Sequence, residues 1–266
     1  MKNSLLWRIT PAGGGPDSFL FGTMHVRDAR AFEWLEAAYH CLEECEVFAT
    51  EFDFSETDGA ALALALQLPE GQSLDTLLRP GAWKNLTHYC RKKLGIPADN
   101  MRNLHPMTVA LALTNALLTD EATLSLDETL YEYARALDKE TTGVETFEDQ
   151  LATLKNIPFE QHLKSLNWLL KNYIRQKRRL KKMMQWYREG DIRQLFQVAK
   201  KDARGMRRLL LYERNASMVN RFSEIAREKS LFCAVGAGHL AGAKGMLRRL
   251  KKQGFKVKPL LPDTVK

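Results

Sequence analysis

Cysteine is scarce in this sequence: Cys41, Cys45, Cys90 and Cys233 are scattered over 266 residues, and no two form a Cys-x-x-Cys pair. That excludes a disulfide-built scaffold and offers neither a zinc knuckle nor a thioredoxin-type redox pair. Long apolar runs are missing as well. The longest, Ala60 to Leu68, is interrupted by Gln67 and falls far short of the roughly 18 residues of a membrane span, so no span is expected. Met1 to Arg8 lacks the apolar stretch of a secretory leader. Together with the dispersed thiols, this leads us to expect a cytoplasmic protein. Low-complexity segments are absent too. The remaining composition, 45% hydrophobic and 27% charged, is that of a globular chain able to bury a large core.

Neither sign of charge is evenly spread. Residues 1–150 hold 12 Lys/Arg against 24 Asp/Glu, and residues 151–266 hold 28 against 8, so the halves carry −12 and +20 and the chain +8. Attraction between the halves across one fold would account for this, as would a basic face for a polyanion. No basic segment interleaves the aromatics of a nucleic-acid motif, and no nucleic-acid partner is expected. The densest run, Lys177-Arg178-Arg179-Leu180-Lys181-Lys182, reads as a solvated helix face, with anionic lipid or another polyanion as the alternative.

Strand signals lie at the two ends and helical periodicity fills the middle. Leu5 to Thr10 and Ser18 to Gly22 flank a Pro/Gly-rich turn, as in a loose hairpin. Asp28 is placed to cap a helix from about Ala29 to Cys45, and Val47 to Phe52 reads as the next strand. Thr141 to Glu145 has strand character, and Leu231 to Val235 is a buried-strand signal. A helix from about Ala241 to Gln253, stopped by Gly254, leads to a last strand, Lys256 to Leu261. Strand–helix–strand order implies right-handed crossovers and parallel pairing. We therefore expect an α/β fold: a single domain over 1–266, with a central, mostly parallel sheet, an N-terminal hairpin, and helical insertions at about 55–138 and 147–230.

Two segments place a Gly-x-x-His just past an apolar strand: Gly22-Thr23-Met24-His25 and Gly236-Ala237-Gly238-His239. The carboxyl edge of an open α/β sheet is where ligands bind. Glycines such as Gly22 and Gly238 let the chain turn there and let a substrate approach the backbone. Glu51 and Glu145 also stand at strand ends. If those strands are parallel neighbours, two imidazoles and two carboxylates converge, a donor set suited to a divalent ion such as Mn, Co or Zn. Bound water would be acidified, and whichever carboxylate is not a ligand would serve as general base. Taken singly, a strand-end His is an ordinary hydrogen-bonded residue and each Glu an ordinary solvated one. His88, His105 and His162 read as structural or exposed.

Leu5-Leu6-Trp7-Arg8-Ile9 with Phe19-Leu20-Phe21-Gly22-Thr23-Met24-His25 resembles the opening of the TraB/PrgY/GumN family, which includes the TIKI metalloproteases. Gly143-Val144-Glu145-Thr146 with Glu148 and Gln150, then Glu213-Arg214-Asn215, then Val235 to Gly242, continue the likeness in the same order. The resemblance implies a fold akin to erythromycin esterase and ChaN-like proteins, with metal-dependent peptidase or hydrolase activity in the TIKI branch. It places the paired histidines on His25 and His239, the strand-end glutamates on Glu51 and Glu145, and an Arg-Asn pair on Arg214 and Asn215. The TIKI proteins act outside the cell, so their substrate does not carry over to a chain without an export signal.

With that pair singled out, Arg214 could bind a substrate carboxylate or a developing oxyanion, or simply pair with an acidic neighbour, while Asn215 orients a side chain or water. The free N–H groups of a helix starting at Leu240-Ala241-Gly242 would favour an anionic group nearby. The expectation is a metal-dependent hydrolase acting on a peptide or related amide or ester. The alternatives are a non-catalytic binding or regulatory protein holding a peptide or small anion in the same pocket, and a scaffold working through the basic helices.

Overall fold

The computed structural model describes residues 3–24, 29–56, 58–117 and 124–262. Its strands are β1 (Leu6–Pro11), β2 (Ser18–Thr23), β3 (Val47–Thr50), β4 (Glu140–Gly143), β5 (Leu231–Gly236) and β6 (Phe255–Leu260). They form one sheet in the order β4-β3-β5-β2-β1-β6. The four strands β4, β3, β5 and β2 run parallel, while β1 lies antiparallel to β2 and β6. The α/β class, the mostly parallel sheet and the hairpin are therefore as the sequence led us to expect.

The strand sequences explain their places. β2, β3 and the first five residues of β5 are buried throughout, as parallel strands covered on both faces require. Phe48 and Phe232 stack at 6.1 Å between ring centroids, and Phe21 reaches Phe232 from the other side. The edges carry polarity instead: Glu140 is exposed on β4, Lys256 and Lys258 on β6, and β6 also holds Pro259. Such edges resist pairing with another chain.

Two compact units emerge from the chain. The sheet unit comprises the described parts of 1–56, 120–150 and 183–266, including the helices Leu35–Glu43, Leu126–Ala136, Ile192–Asp202, Arg214–Ile225 and Met246–Lys252. The second unit comprises the described parts of 57–119 and 151–182, and is helical. Asp58 caps its Gly59–Ala65 helix by accepting from the Ala60 and Ala61 amides, and Pro80 and Pro106 open the next long helices at the position where a missing N–H costs nothing. Leu86, Val109, Leu113, Leu166 and Leu170 are fully buried in it.

Two helices depart from expectation. The stretch expected as one helix from Ala29 is a 3-10 turn, Ala29–Trp34, before the α-helix Leu35–Glu43, and the expected cap Asp28 lies outside the described residues. The last helix begins at Met246, not near Ala241. Gly242 has a φ of 95° and a Cβ there would lie 2.5 Å from the Phe196 ring, while a Cβ on Gly245 would strike backbone atoms of Leu240 and Ala241. Residues 240–245 are thus a turn, and the expected helix N-terminus beside His239 is not there. Gly254, with φ 88°, ends the helix as expected.

Candidate functional site

Because β2, β5, β3 and β4 are parallel neighbours, the chain leaves all four at one rim. The register sets Thr23 opposite Gly236 and Thr50 opposite Gly143. Pairing of β3 with β4 continues one step beyond the strands: the Val144 amide donates to the Thr50 carbonyl and the Glu145 amide to the Glu51 carbonyl at 2.7 Å. That extension puts the two glutamates side by side. It also requires Gly143, where an added Cβ would lie 2.3 Å from the Glu145 carbonyl oxygen and 2.8 Å from the Asp53 amide.

Both carboxylates are 8% exposed and share one cation. Arg214 donates from Nε to Glu145 Oε1 at 2.9 Å, and from Nη2 to Glu145 Oε2 at 2.5 Å and Glu51 Oε2 at 2.7 Å. Gln150 Nε2 spans the same pair at 3.3 and 3.4 Å, and the Gly236 amide donates to Glu51 Oε1 at 2.8 Å. A π-helical turn, Arg208–Glu213, immediately precedes Arg214; such turns offset the side chains that follow them and recur at functional sites. Burial raises the pKa of Glu145, with the Glu51 charge adding to the rise and Arg214 opposing it. Burial works against the charge on Arg214, but the two carboxylates overcome it and hold the guanidinium more firmly protonated than usual.

His239 closes the arrangement. It ends the short turn Ala237–His239 after β5 and is 7% exposed. Asn215 is fully buried, and its Nδ2 donates to the Lys244 carbonyl at 2.9 Å. Its Oδ1 therefore faces His239 Nδ1, 2.6 Å away, and accepts from it. This fixes the tautomer: Nδ1 carries the proton and Nε2 is the basic nitrogen. Nε2 stands 3.9 Å from Glu51 Oε1. A His whose second nitrogen is held by such a partner has the form of a metal ligand.

The structure therefore brings Glu51, Glu145, Arg214, Asn215 and His239 together; His25 lies outside the described residues. Among the described residues no group of three or more His, Cys, Asp or Glu is arranged to hold a metal ion. What they contribute to a donor set is the His239–Glu51 pair, an imidazole nitrogen and a carboxylate oxygen facing each other, and this is chemistry that suits a divalent cation. The glycines serve packing. A Cβ on Gly22 would lie 2.6 Å from Leu240 and 3.1 Å from Ala237, and one on Gly238 would lie 2.8 Å from Ala199. The close approach they allow is taken up by the chain itself.

Three further residues belong here. Thr23 donates to Asp127 Oδ1 at 2.6 Å, both buried, and Tyr187, fully buried, donates to the Gly22 carbonyl at 2.8 Å. Burial, then the Asp127 charge, raises the Tyr187 phenol far above its ordinary range. A cavity of about 250 Å³ is lined by Glu51, Phe52, Asp127, Glu128 and Gln150 among others. In the sequence Asp127 reads only as an acidic residue in a capped first turn, and Tyr187 as one apolar position behind a basic run. All four cysteines are buried and unpaired, and burial raises their thiols, that of Cys41 to about 12. None is suited to act as a nucleophile.

The sequence profile of the TraB/PrgY/gumN family matches residues 5–259. Curated relatives include Metalloprotease TIKI2 of Danio rerio, 25% identical over 319 residues covering 98% of this chain and 62% of that protein. Metalloprotease TIKI1 of Danio rerio is 25% identical over 312 residues, with 96% and 63% covered. Metalloprotease TIKI1 of Homo sapiens is 24% identical over 313 residues, with 96% and 61% covered. The chain thus spans about three fifths of the length of these relatives. No solved structure matches it.

Proposed function

The chain belongs to the TraB/PrgY/gumN family, and from that premise we propose that it is a metal-dependent hydrolase, peptidase-like, acting on a peptide or a related amide or ester. That its relatives are named metalloproteases supports the reaction class. The observation that carries the reading is the pairing of His239 Nε2 with Glu51 at the strand rim, the ring held in one tautomer by Asn215.

In this reading His239 and Glu51 would hold the divalent ion, with the family likeness naming His25 as a further ligand, and the ion would supply Lewis acidity and a more acidic water. Glu145 receives the proton of the attacking water; its raised proton affinity moves it toward the working pH of a general base. Arg214 keeps the two carboxylates together. Among the described residues its hydrogen bonds run from Nε and Nη2, leaving Nη1 to meet charge developing on the substrate. The cavity beside Glu51 and Gln150 receives the scissile region. Four buried, unpaired thiols favour a reducing compartment, and we place the reaction in the cytoplasm.

The test joins metal titration with Mn, Co and Zn to hydrolysis of a mixed peptide and ester library. Uptake of one ion and metal-dependent turnover are expected, with both abolished by His239→Ala. Asn215→Ala, which strips the ring of its acceptor, should weaken ion binding about 10- to 100-fold. No ion bound and no turnover, or turnover indifferent to His239→Ala, defeats the reading. One observation favours a second: Arg214 already occupies both carboxylates, as in a neutralised binding pocket. A ligand recovered intact after tight binding would mark a binding or regulatory protein.

A further inference from the structure

The site above draws Tyr187 from the Tyr173–Arg188 helix but leaves the exposed face of the basic helices unused, and that surface is unusual. From Gln161 to Lys182 the chain carries eight Lys/Arg and no Asp or Glu. The Phe159–Lys171 helix buries Leu163, Leu166, Leu169 and Leu170, and exposes Lys164, Trp168 and Lys171 on the opposite stripe. After a break at Asn172, the Tyr173–Arg188 helix exposes Ile174, Arg175, Arg178 and Lys181. Both stripes recur at intervals of three and four, the spacing of one helix face. Trp168 is 41% exposed and Ile174 68%.

A solvated basic face ordinarily interleaves carboxylates that neutralise it. Here, among the described residues, Lys164, Lys171, Arg175, Arg178 and Lys181 form no ion pair. The break between the helices is held in place by Tyr173, which stacks on Tyr89 at 4.0 Å, and by Asn85 Nδ2 donating to the Leu170 carbonyl. The face is therefore preformed. Leu64 and Leu111 are also exposed in the second unit, but on helices without a charge. Among the described residues of the second unit, only the two basic helices combine large exposed apolar side chains with cations.

We propose that the exposed face of residues 164–181 docks on an anionic membrane surface. Trp168 and Ile174 enter the headgroup boundary, where Trp is favoured, while the Lys and Arg side chains reach the phosphates. A nucleic acid would use the cations but has no use for Ile174, and stacking would call for more than one exposed aromatic. The charge is what gives this face its attraction for an anionic leaflet.

The full chain is sedimented with vesicles of phosphatidylglycerol mixed into phosphatidylcholine, and with phosphatidylcholine alone. Binding to the anionic vesicles only is expected, with a blue shift in emission that disappears in Trp168→Phe. Each cation removed should lower partitioning about fivefold, so Lys171→Gln, Arg175→Gln and Arg178→Gln together should reduce it by about two orders of magnitude. Trp168→Ser with Ile174→Ser should weaken it at least about tenfold at unchanged charge. These positions are exposed, and circular dichroism verifies that each variant is folded. No binding to anionic vesicles overturns the proposal. So does binding, to vesicles or to heparin or RNA, that the Trp168/Ile174 double variant leaves unchanged, since the face would then be a plain polyanion site.

Discussion

A single guanidinium decides whether the rim is a folded site or two repelling charges. Arg214 is the shared cation of two carboxylates that are each 8% exposed. Deleting one member of a buried ion group leaves an uncompensated charge in a medium that solvates it poorly. Arg214→Ala should therefore lower unfolding free energy by about 3–5 kcal/mol in a denaturant titration, and adding Glu145→Gln should recover part of the loss, because a neutral amide no longer opposes Glu51. A loss near zero, or a double variant weaker than the single, would show that the cluster is already relaxed by solvent. At this scale the sequence was informative where a residue type stood at a strand end: Glu51, Glu145 and His239 are legible that way, and Arg214 with Asn215 through the family likeness. Asp127 was not legible, because its burial is set by the Thr23 hydroxyl more than a hundred positions away. The same separation hides Tyr187, whose partner is the Gly22 carbonyl.

At the scale of the element, strands were easier to foresee than helix starts. A fully buried parallel strand must be continuously apolar, so Leu231–Gly236 is visible as a run of letters. The start of the last helix depends on conformation that letters do not carry. Leu240-Ala241-Gly242-Ala243-Lys244-Gly245 would wind as helix if its glycines allowed it, but Gly242 lies in the left-handed region against Phe196. The turn is then held by its Lys244 carbonyl, which accepts from Asn215 at 2.9 Å and from Arg249 at 3.1 Å. That turn supports the His239 partner, so the helix begins late where the site needs an acceptor fixed. Gly143 makes the corresponding point for β4. A methyl there would meet only backbone, which cannot swing away. Gly143→Ala should destabilise by about 1–3 kcal/mol or more and, by prying β4 from β3, separate Glu145 from Glu51. An effect equal to that of Gly59→Ala, where nothing lies within 4 Å of the added Cβ, would mean that the strand pairing tolerates the spread.

Over the whole molecule, the divided charge of the sequence becomes partly intelligible. In the sheet unit, basic residues from the second half pair with acidic residues of the first: Arg188 with Glu33, Lys229 with Glu140, Arg214 with Glu51 and Glu145. Attraction across the fold thus accounts for part of the asymmetry, and Lys164, Lys171, Arg175, Arg178 and Lys181, on the face proposed to meet a membrane, stand outside it. Acid is expected to act in opposite senses on two histidines of the second unit and on Glu145 of the sheet unit. In the second unit His105 and His162 lie with ring centroids 4.7 Å apart. Burial lowers both pKa values, with the neighbouring His162 charge adding to the fall at His105 and a backbone hydrogen bond at Leu154 opposing it at His162. A histidine depressed below its unfolded value of about 6.5 contributes stability above that value and loses it as pH falls through the folded pKa. Glu145 in the sheet unit is raised, so its contribution is largest at low pH and declines as pH rises through the folded value. Between about pH 7 and 5 protonation of the two histidines should therefore weaken the helical unit, whereas protonation of Glu145 does not weaken the sheet unit. Calorimetry at the two pH values should reveal a transition moving to lower temperature on acidification. His105→Asn, which keeps a side-chain acceptor for the Met107 amide, combined with His162→Gln should hold that transition still. If the wild-type transition stays in place over this range, or the double variant shifts as the wild type does, the two imidazoles are not what makes the helices sensitive to acid.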